Sequence, residues 1–466
     1  MALVCATQAR AEATLVIEAD TGKVLQAENA TYPWYPASVT KIMTAYVALN
    51  AVKQGRLTLD SLLTVSPAAS AQAPSKMGFK PGTQVTLDNA LKMMMVKSAN
   101  DIAVVIAEGV GGSIDGFSAE MNKTAQRLGM TQTSYVNPNG LPADGQITSA
   151  RDLGILTRAF YRDLPEYEYF AHLPGIKFGK RTTMNFNKLI GRYPGADGMK
   201  TGFICASGFN LVASATRNGK RLIAVVLGAQ SSAQRAVKAA QLLERGFSGN
   251  KLAWLRPSMG TVEQLAPIDA SPPDLRDQMC GPKRKRPAAE DEDDDLEIAV
   301  APESSDGNPQ MFAAGLQPPT VKTTELLAGA AALAPPVIVY TGPTRTGSAI
   351  AAADAAETEA QTPKGKKGKK SQVAAVKPDA KPDAKPEKKK DARPDAKKDT
   401  KPEAKSDAKA ASKPAANPEP KPLGNSAKPV SGDLKPAAAK PKDGAKDAAK
   451  SSKPAAEKKS DAPPKS

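Results

Sequence analysis

The sequence contains one histidine and three cysteines among its 466 residues. A serine enzyme that used histidine as its base would need His172, whose setting F-A-H-L-P-G is typical of a loop or core histidine. Cys5, Cys205 and Cys280 are few and widely separated, so the sequence predicts neither a disulfide framework nor a zinc site. The composition therefore disfavours a histidine-dependent mechanism and a zinc-dependent one.

Long apolar runs are also lacking. The most apolar stretch after residue 250 is Leu326 to Tyr340, but Pro335-Pro336 interrupts it and it is too short to cross a bilayer. The sequence therefore predicts no transmembrane helix.

Residues 361–466 have no aromatic side chain and consist mostly of Lys, Ala, Pro, Asp and Ser. Such a composition cannot bury enough apolar surface to offset the entropy of ordering the backbone, so we expect a disordered tail. The tail holds 29 lysines and arginines against 14 acidic residues, which accounts for nearly all of the net charge of +16.

Residues 251–360 form a second polar, Pro-rich region, predicted to be a mostly disordered linker. It carries the basic cluster Lys283-Arg284-Lys285-Arg286 and then the acidic run Glu290 to Asp295. The basic cluster resembles a nuclear localisation signal, but adjacent blocks of opposite charge are more typical of a disordered linker.

Residues 1–13 are interpreted as the remnant of a signal peptide. Small residues at Ala9 and Ala11, or at Ala11 and Ala13, fit the A-x-A pattern of a signal-peptidase site. Most of the apolar region that should precede such a site is missing. We therefore expect the natural start codon to lie upstream and the protein to be exported.

Residues 14–250 contain the apolar runs and turn signals of one folded domain. Two strands are predicted around Asp20-Thr21-Gly22 and three more between Met199 and Gly228, where Asn218-Gly219 marks a hairpin. Apolar periodicity predicts helices that open at Pro36 and cover 87–97, 102–109, 118–128, 149–161 and 232–245. The expected architecture is α+β, with strands from both ends of the domain forming an antiparallel sheet covered by helices.

The stretch P-A-S-V-T-K-I-M-T-A-Y places Ser38 in the first turn of the predicted helix and Lys41 three residues later. Residues three apart share a helix face, so the Lys41 amine can reach the Ser38 hydroxyl and, once unprotonated, act as its base. Lysine normally titrates far above neutrality, and burial beside another cation would lower its pKa. Spacing alone is not decisive, because Ser-x-x-Lys also occurs at Ser248 to Lys251 and at Ser406 to Lys409.

Two later motifs can supply the remaining groups. Ser98-Ala99-Asn100 lies between two predicted helices, where a hydroxyl can relay a proton and a carboxamide can hold Lys41 and a substrate amide. Lys200-Thr201-Gly202 lies on a predicted strand, offering a second cation, a hydroxyl for a substrate carboxylate, and space beside the backbone. The N–H groups of Ser38 and Phe203 are the candidates for an oxyanion hole.

S-V-T-K, S-A-N and K-T-G, in this order, resemble the three motifs of the penicillin-recognising serine enzymes. The flanking stretches V-K-S-A-N-D, Y-V-N-P-N-G-L and D-G-M-K-T-G-F are similar to the D-alanyl-D-alanine carboxypeptidases among the low-molecular-mass penicillin-binding proteins. The resemblance covers about residues 14–250. It implies a β-lactamase/transpeptidase-like fold with a mainly helical subdomain, no cofactor or metal, and removal of the terminal D-alanine from peptidoglycan pentapeptides through an acyl-serine.

The same resemblance implies a role for each motif. Ser38 becomes the nucleophile and Lys41 the base, Ser98 and Asn100 the proton relay and substrate contacts, and Lys200 with Thr201 the carboxylate site. Arg235 matches an arginine in the family's closing helix that helps to bind the substrate carboxylate, with a solvated helix arginine as the alternative. β-Lactam antibiotics are the implied inhibitors.

Three alternatives remain open. A class A β-lactamase would need Ser-Asp-Asn and a Glu-x-x-Leu-Asn loop, which is not found at Glu108, Glu120, Glu166 or Glu168; without that base a penicilloyl-enzyme should hydrolyse slowly. A muropeptide endopeptidase uses the same machinery on a cross-linked substrate. A non-catalytic envelope-binding protein would act through its basic tail.

The sequence departs from the family at two places. Phe203 stands where some members have a polar residue or histidine, and residues 251–466 show neither the family's small β domain nor an amphipathic membrane anchor. We interpret the tail as a spacer through peptidoglycan or a weak tether to anionic envelope polymers or lipid head groups. Nucleic acid is not an expected partner of such a protein, which we place in the periplasm or cell envelope.

Overall fold

The computed structural model describes residues 12–248, 258–282, 327 and 334–361. All of these belong to one unit of the chain, 1–370, and the second unit, 371–466, lies outside the described residues. The predictions for residues 1–11, for the basic and acidic clusters and for nearly all of the tail therefore concern parts of the chain outside this description.

The described strands, β1 to β10, are Ala13–Glu18, Val24–Glu28, Leu62–Thr64, Gln84–Thr86, Gly175–Phe178, Arg181–Met184, Ala196–Ile204, Gly208–Arg217, Lys220–Ala229 and Val337–Ile338. The described helices, α1 to α9, are Lys41–Lys53, Pro67–Ser70, Leu87–Lys97, Asn100–Gly111, Ile114–Leu128, Ala150–Asp163, Ser232–Ser248, Arg276–Cys280 and Ser348–Ala360. Short 3-10 helices cover Ala37–Thr40, Pro165–Ala171 and Val262–Gln264.

A five-stranded antiparallel sheet has the order β2-β1-β9-β8-β7, so strands from both ends of the domain meet as predicted. Successive side chains of a strand point to opposite faces, and both faces are buried here. Val225 and Leu227 belong to one apolar core, while Val226 between them belongs to a second core that includes Leu242 and Leu243 of α7. The K-T-G strand, β7, forms one edge of this sheet.

Local sequence signals account for most of the element boundaries. Helix α3 has the predicted bounds, and the Ser149 hydroxyl accepts a hydrogen bond from Asp152 N at 3.1 Å to cap α6. The turn between β8 and β9 is formed by Asn218 and Gly219, both at positive φ, as a tight hairpin of this sequence requires. The predictions of the terminal hairpin, the closing helix and the antiparallel sheet are therefore confirmed.

The segment that carries Ser38 differs from its prediction. Ser38 lies in the 3-10 helix, and the α-helix begins only at Lys41. The reason lies in the sheet: the Asn210 side chain on β8 donates to the carbonyls of Tyr35, at 3.0 Å, and Pro36, at 3.1 Å. The Pro36 carbonyl would otherwise accept the first hydrogen bond of the predicted helix, so the chain stays anchored to the sheet until Lys41.

The interpretation of 251–360 as a mostly disordered linker missed two ordered pieces. In the first, Val262 is fully buried and Leu275 N donates to the Ala206 carbonyl at 3.0 Å. In the second, β10 pairs with β5 in a parallel arrangement, and Val339 is fully buried. The sequence could not predict these pieces, because their apolar residues are scattered and are buried only by surfaces that distant parts of the chain form.

The cysteines were predicted to be too few and too widely separated for a disulfide framework, and that prediction missed one bond. Cys205, just after β7, is bonded to Cys280 at the end of α8, and the two are 75 residues apart in the chain. The bond fastens the returning segment to the turn that follows the K-T-G strand. Cys5 lies outside the described residues.

Removing this bond should destabilise the domain, because a cross-link over a long loop restricts the unfolded chain. We expect Cys280→Ser to lower the free energy of unfolding by about 2–4 kcal/mol, measured by chemical denaturation. Cys205→Ser is the matched variant and should lower it by the same amount, because either substitution removes the same bond. Equal midpoints for the wild type under oxidising and reducing conditions would contradict this prediction.

Candidate active site

The Lys41 amine lies in an enclosed position, with the residue fully buried. Its Nζ is 3.0 Å from Ser38 Oγ, 2.8 Å from Asn100 Oδ1 and 2.7 Å from the Asn139 carbonyl oxygen. A neutral amine can donate its two N–H groups to the two carbonyl oxygens and turn its lone pair to the Ser38 hydroxyl. The arrangement therefore suits transfer of the Ser38 proton to Lys41.

The side chain of Asn100, the first residue of α4, is fixed from its far side. Its Nδ2 donates to the Ala73 carbonyl at 3.0 Å, and its backbone N donates to the Ser75 carbonyl at 2.8 Å. A carbonyl can only accept, so the amide nitrogen must face Ala73 and the amide oxygen must face Lys41. The loop over 71–79 thus sets the orientation of a group that holds the lysine.

Asn139 is a site residue that the sequence prediction did not assign, although it lies in the quoted stretch Y-V-N-P-N-G-L. Its backbone carbonyl faces Lys41 and its side chain donates to Gln72 Oε1 at 2.9 Å. The next residue, Gly140, has φ +83°, and a Cβ there would lie 1.8 Å from the Ala37 carbonyl oxygen. The glycine after the asparagine was the available signal, because only glycine permits so close a backbone approach.

A second serine and lysine form a pair next to the first. Lys200 Nζ donates to Ser98 Oγ and to the Thr201 carbonyl, both at 3.0 Å, and all three residues are buried. Ser98 follows α3 with φ 60°, a left-handed conformation that ends the helix and separates it from α4. The structure thus brings the three sequence motifs together, with each catalytic hydroxyl candidate beside a lysine amine.

The backbone of β7 passes directly against the turn that carries Ser38. A Cβ on Gly202 would lie 2.8 Å from Ser38 N and 3.0 Å from Val39 N. The next residue, Phe203, stacks on Phe209 with the ring centroids 4.3 Å apart. The absence of a side chain at 202 therefore allows the strand to lie beside the Ser38 N–H.

Arg235 on α7 is 2% exposed, so the alternative of a solvated helix arginine is wrong. Its guanidinium lies 3.3 Å from the Asn210 carbonyl oxygen, 3.5 Å from the Gly202 carbonyl oxygen and 5.5 Å from the centre of the Phe209 ring. A permanent positive charge thus stands behind the K-T-G strand.

A buried polar cluster supports the beginning of β7. The Tyr161 hydroxyl donates to the Asp197 carbonyl at 3.0 Å and lies 2.6 Å from Ser214 Oγ. Burial, together with the nearby Asp197 carboxylate, raises the pKa of Tyr161 well above its ordinary value, so the phenol remains a neutral donor. This cluster holds the strand three residues before Lys200.

His172 follows the 3-10 helix Pro165–Ala171, and its buried Nδ1 has no hydrogen-bond partner among the residues that the structure describes. Among the described residues, no group of three or more His, Cys, Asp or Glu side chains is arranged to hold a metal ion. The groups assembled at the described site are hydroxyls, amines, carboxamides and backbone amides.

Residues 2–231 match the model of the peptidase S11 family, described as D-alanyl-D-alanine carboxypeptidase. The D-alanyl-D-alanine carboxypeptidase DacD of Salmonella typhimurium strain LT2 is 34% identical over 273 residues, covering 55% of this chain and 70% of that protein. The chain belongs to the D-alanyl-D-alanine carboxypeptidase family. The resemblance seen in the three motifs is thereby confirmed.

Another family member is matched over a smaller share of its length. DacC of Escherichia coli K12 is 39% identical over 245 residues, covering 51% of this chain and 61% of that protein. The chain spans about three fifths of the length of DacC. Penicillin-binding protein 5 from Haemophilus influenzae is similar in structure, with a TM-score of 0.50, 36% identity, and coverage of 51% of this chain and 71% of that one. The predicted β-lactamase/transpeptidase-like fold is confirmed.

The described helices are short relative to the thickness of a bilayer. None of them alone is long and apolar enough to cross a membrane, while α4 and α5 meet the length and composition test together but are bent by 81° where they meet.

The contact between β7 and Ser38 gives a test of the site. We expect Gly202→Ala to slow the acylation of Ser38 by a fluorescent penicillin at least tenfold, because the added methyl pushes the strand away from Ser38 N. Gly219→Ala is the matched control: the same methyl there meets no atom of the described residues within 4 Å, although the positive φ strains the turn. Equal acylation rates in the two variants would contradict the proposed contact.

Proposed function

We propose that this protein is a serine-type D-Ala-D-Ala carboxypeptidase that removes the terminal D-alanine from peptidoglycan pentapeptides. The observation that carries the proposal is the contact of Lys41 Nζ with Ser38 Oγ at 3.0 Å, held by two carbonyl oxygens, in a chain that belongs to this family. Ser38, Lys41 and Ser98 are the proposed catalytic residues.

In the first step, Lys41 accepts the Ser38 proton while Ser38 Oγ forms a bond to the carbonyl carbon of the penultimate D-alanine. The carbonyl oxygen becomes an oxyanion, and the N–H groups of Ser38 and Phe203 are the proposed donors to it. Gly202 supports this assignment, because its backbone lies against Ser38 N.

In the second step, the bond to the terminal D-alanine breaks and its nitrogen needs a proton. Ser98 is the proposed relay: its hydroxyl gives a proton to this nitrogen and is reprotonated by the proton that Lys41 took from Ser38, while its oxygen accepts a hydrogen bond from the Lys200 amine. Lys41 is then neutral again. The product amine leaves and an acyl-serine remains. A water molecule then attacks the ester carbonyl and gives a proton to Lys41. The bond from the carbonyl carbon to Ser38 Oγ breaks, Ser38 Oγ takes the proton from Lys41, and the shortened peptide leaves with a new carboxyl group.

The substrate's terminal carboxylate is the group that distinguishes a carboxypeptidase substrate. Lys200 and Thr201 are the proposed contacts to it, with Asn100 binding a substrate amide. The Arg235 guanidinium, behind Gly202, adds positive potential to this part of the site.

We further propose that penicillins acylate Ser38 and leave slowly, as expected without a class A deacylation base. The glutamates considered for that base are engaged elsewhere: Glu108 accepts from Ser66 Oγ at 2.9 Å, Glu166 lies 3.5 Å from Lys53 Nζ, Glu168 lies 2.9 Å from the Arg221 guanidinium, and Glu120 pairs with Arg56.

The activity is tested with a pentapeptide muropeptide and mass spectrometry. We expect the wild type to remove one D-alanine and Ser38→Ala and Lys41→Ala to lose at least a thousandfold in rate, because both the nucleophile and its base are required. Ser248→Ala is the matched control, since it lies in a second Ser-x-x-Lys sequence and should retain full activity.

A cross-linked muropeptide serves as the second substrate. Faster cleavage of the cross-link than of the pentapeptide would favour the endopeptidase alternative. A folded wild type that neither releases D-alanine nor forms a Ser38 adduct with penicillin would favour the non-catalytic alternative.

We also propose that the protein is exported and that its basic tail tethers it to anionic polymers of the cell envelope. Residues 361–466 contain 29 basic and 14 acidic residues, and this excess of positive charge supports an electrostatic contact with anionic polymers. The wild type should sediment with isolated cell walls at low salt and be released at about 1 M salt, where the screening length falls to roughly 3 Å. A form ending at residue 361 should remain in solution, and unchanged sedimentation of that form would refute the tether.

A further inference from the structure

The described segment nearest the C-terminus returns to the catalytic domain and pairs with it. We call residues 334–361 the C-terminal latch. Its strand β10 extends the sheet of β5 and β6 by parallel pairing with β5. Val339 N donates to the Lys177 carbonyl at 2.9 Å, and Gly342 N donates to the Gln84 carbonyl at 2.7 Å. The latch therefore bridges β5 and β4, which lie far apart in the sequence.

Side chains of the latch make further contacts with the β5–β6 hairpin. Asp354 of α9 forms an ion pair with Lys177 at 2.5 Å. Gln361 donates to the Phe178 carbonyl at 3.3 Å and accepts from Lys180 N at 3.1 Å. Together with the fully buried Val339, these contacts dock both the strand and the helix of the latch onto the same hairpin.

The hairpin in turn contacts the loop over 71–79. The Phe178 ring meets the Phe79 ring edge to face, with the centroids 5.3 Å apart, and Phe79 is itself buried. Gln84 lies in β4, which follows this loop in the sequence. The latch therefore holds two elements next to the loop: the β5–β6 hairpin, which contacts it in space, and β4, which follows it in the chain.

The same loop orients the groups that surround Lys41. Ala73 and Ser75 supply the carbonyls that fix Asn100, and Gln72 accepts from the side chain of Asn139. A displacement of the loop would therefore move the two carbonyl oxygens to which the lysine amine donates.

We propose that the C-terminal latch positions the loop over 71–79, through the contact of Phe178 with Phe79, and thereby sets the rate at which Ser38 is acylated. Phe79 and Phe178 are positioning residues in this proposal. The inference rests on the proposed function, because acylation of Ser38 is the step it modifies. It makes the reactivity of the serine depend on a segment about three hundred residues further along the chain.

The test undocks the latch in the full-length protein. Val339→Asp combined with Gly342→Pro places a charge at a buried position and removes the N–H donated to Gln84. Ala349→Asp, which adds the same charge at an exposed position of the latch, is the control. We expect the double variant to show faster hydrogen exchange in 71–79 and at least tenfold slower acylation by a fluorescent penicillin, with the control near wild type. Fast exchange in the latch with unchanged acylation would overturn the proposal.

A double-mutant cycle separates positioning from general loss of stability. Phe79→Ala should slow acylation by itself, and undocking the latch in that background should change the rate less than twofold, because the contact that transmits the effect is already gone. Full additivity of the two effects would overturn the route through Phe79.

The proposed function fails in a different way. A wild type that forms no Ser38 adduct would refute the activity. In that case the exchange rate of 71–79, compared between wild type and the undocked variant, still decides whether the latch orders this loop: unchanged exchange would overturn the proposal.

Discussion

The site depends on the Lys41 amine, which three separate parts of the chain enclose. Lys41 Nζ meets oxygen atoms from the turn before α1, from the start of α4 and from the loop after α5, and these atoms lie 2.7 to 3.0 Å away. A buried amine without such partners would be unfavourable, because its N–H groups would lose their hydrogen bonds to water. The turn before α1, the start of α4 and the loop after α5 must therefore all be in place before Lys41 is held beside the Ser38 hydroxyl.

Close backbone approach is the means by which these parts meet. Gly140 lets its loop touch the Ala37 carbonyl, and Gly202 lets β7 touch Ser38 N. Asn210 then ties the chain before Ser38 to the sheet. A side chain at either glycine would separate elements that have to share the site, so the two positions matter for geometry although neither residue has a reactive group.

Sequence patterns predicted the local elements and the family, since capping serines, the Asn218-Gly219 turn and apolar periodicity act over a few residues. They also selected Ser38, Ser98 and Lys200, which the structure brings together. They did not predict the bond of Cys205 to Cys280 or the docking of residues 334–361, because both depend on surfaces formed by distant parts of the chain. The late start of α1 has the same origin, as the competing donor is a side chain on β8.

The position of β1 in the sheet has a consequence for the order of folding. β1 is hydrogen-bonded to β9, with Ala13 opposite Leu227. The two strands are separated by about two hundred residues, so β1 cannot form this pair until the chain has been made as far as β9. Contacts between residues so far apart in sequence form slowly, because a large loop must close before they contribute. Until then β1 has only β2 beside it and presents an unpaired strand edge, which other chains can recognise. Wrong pairing with another chain is therefore most favoured before β9 has taken its place beside β1.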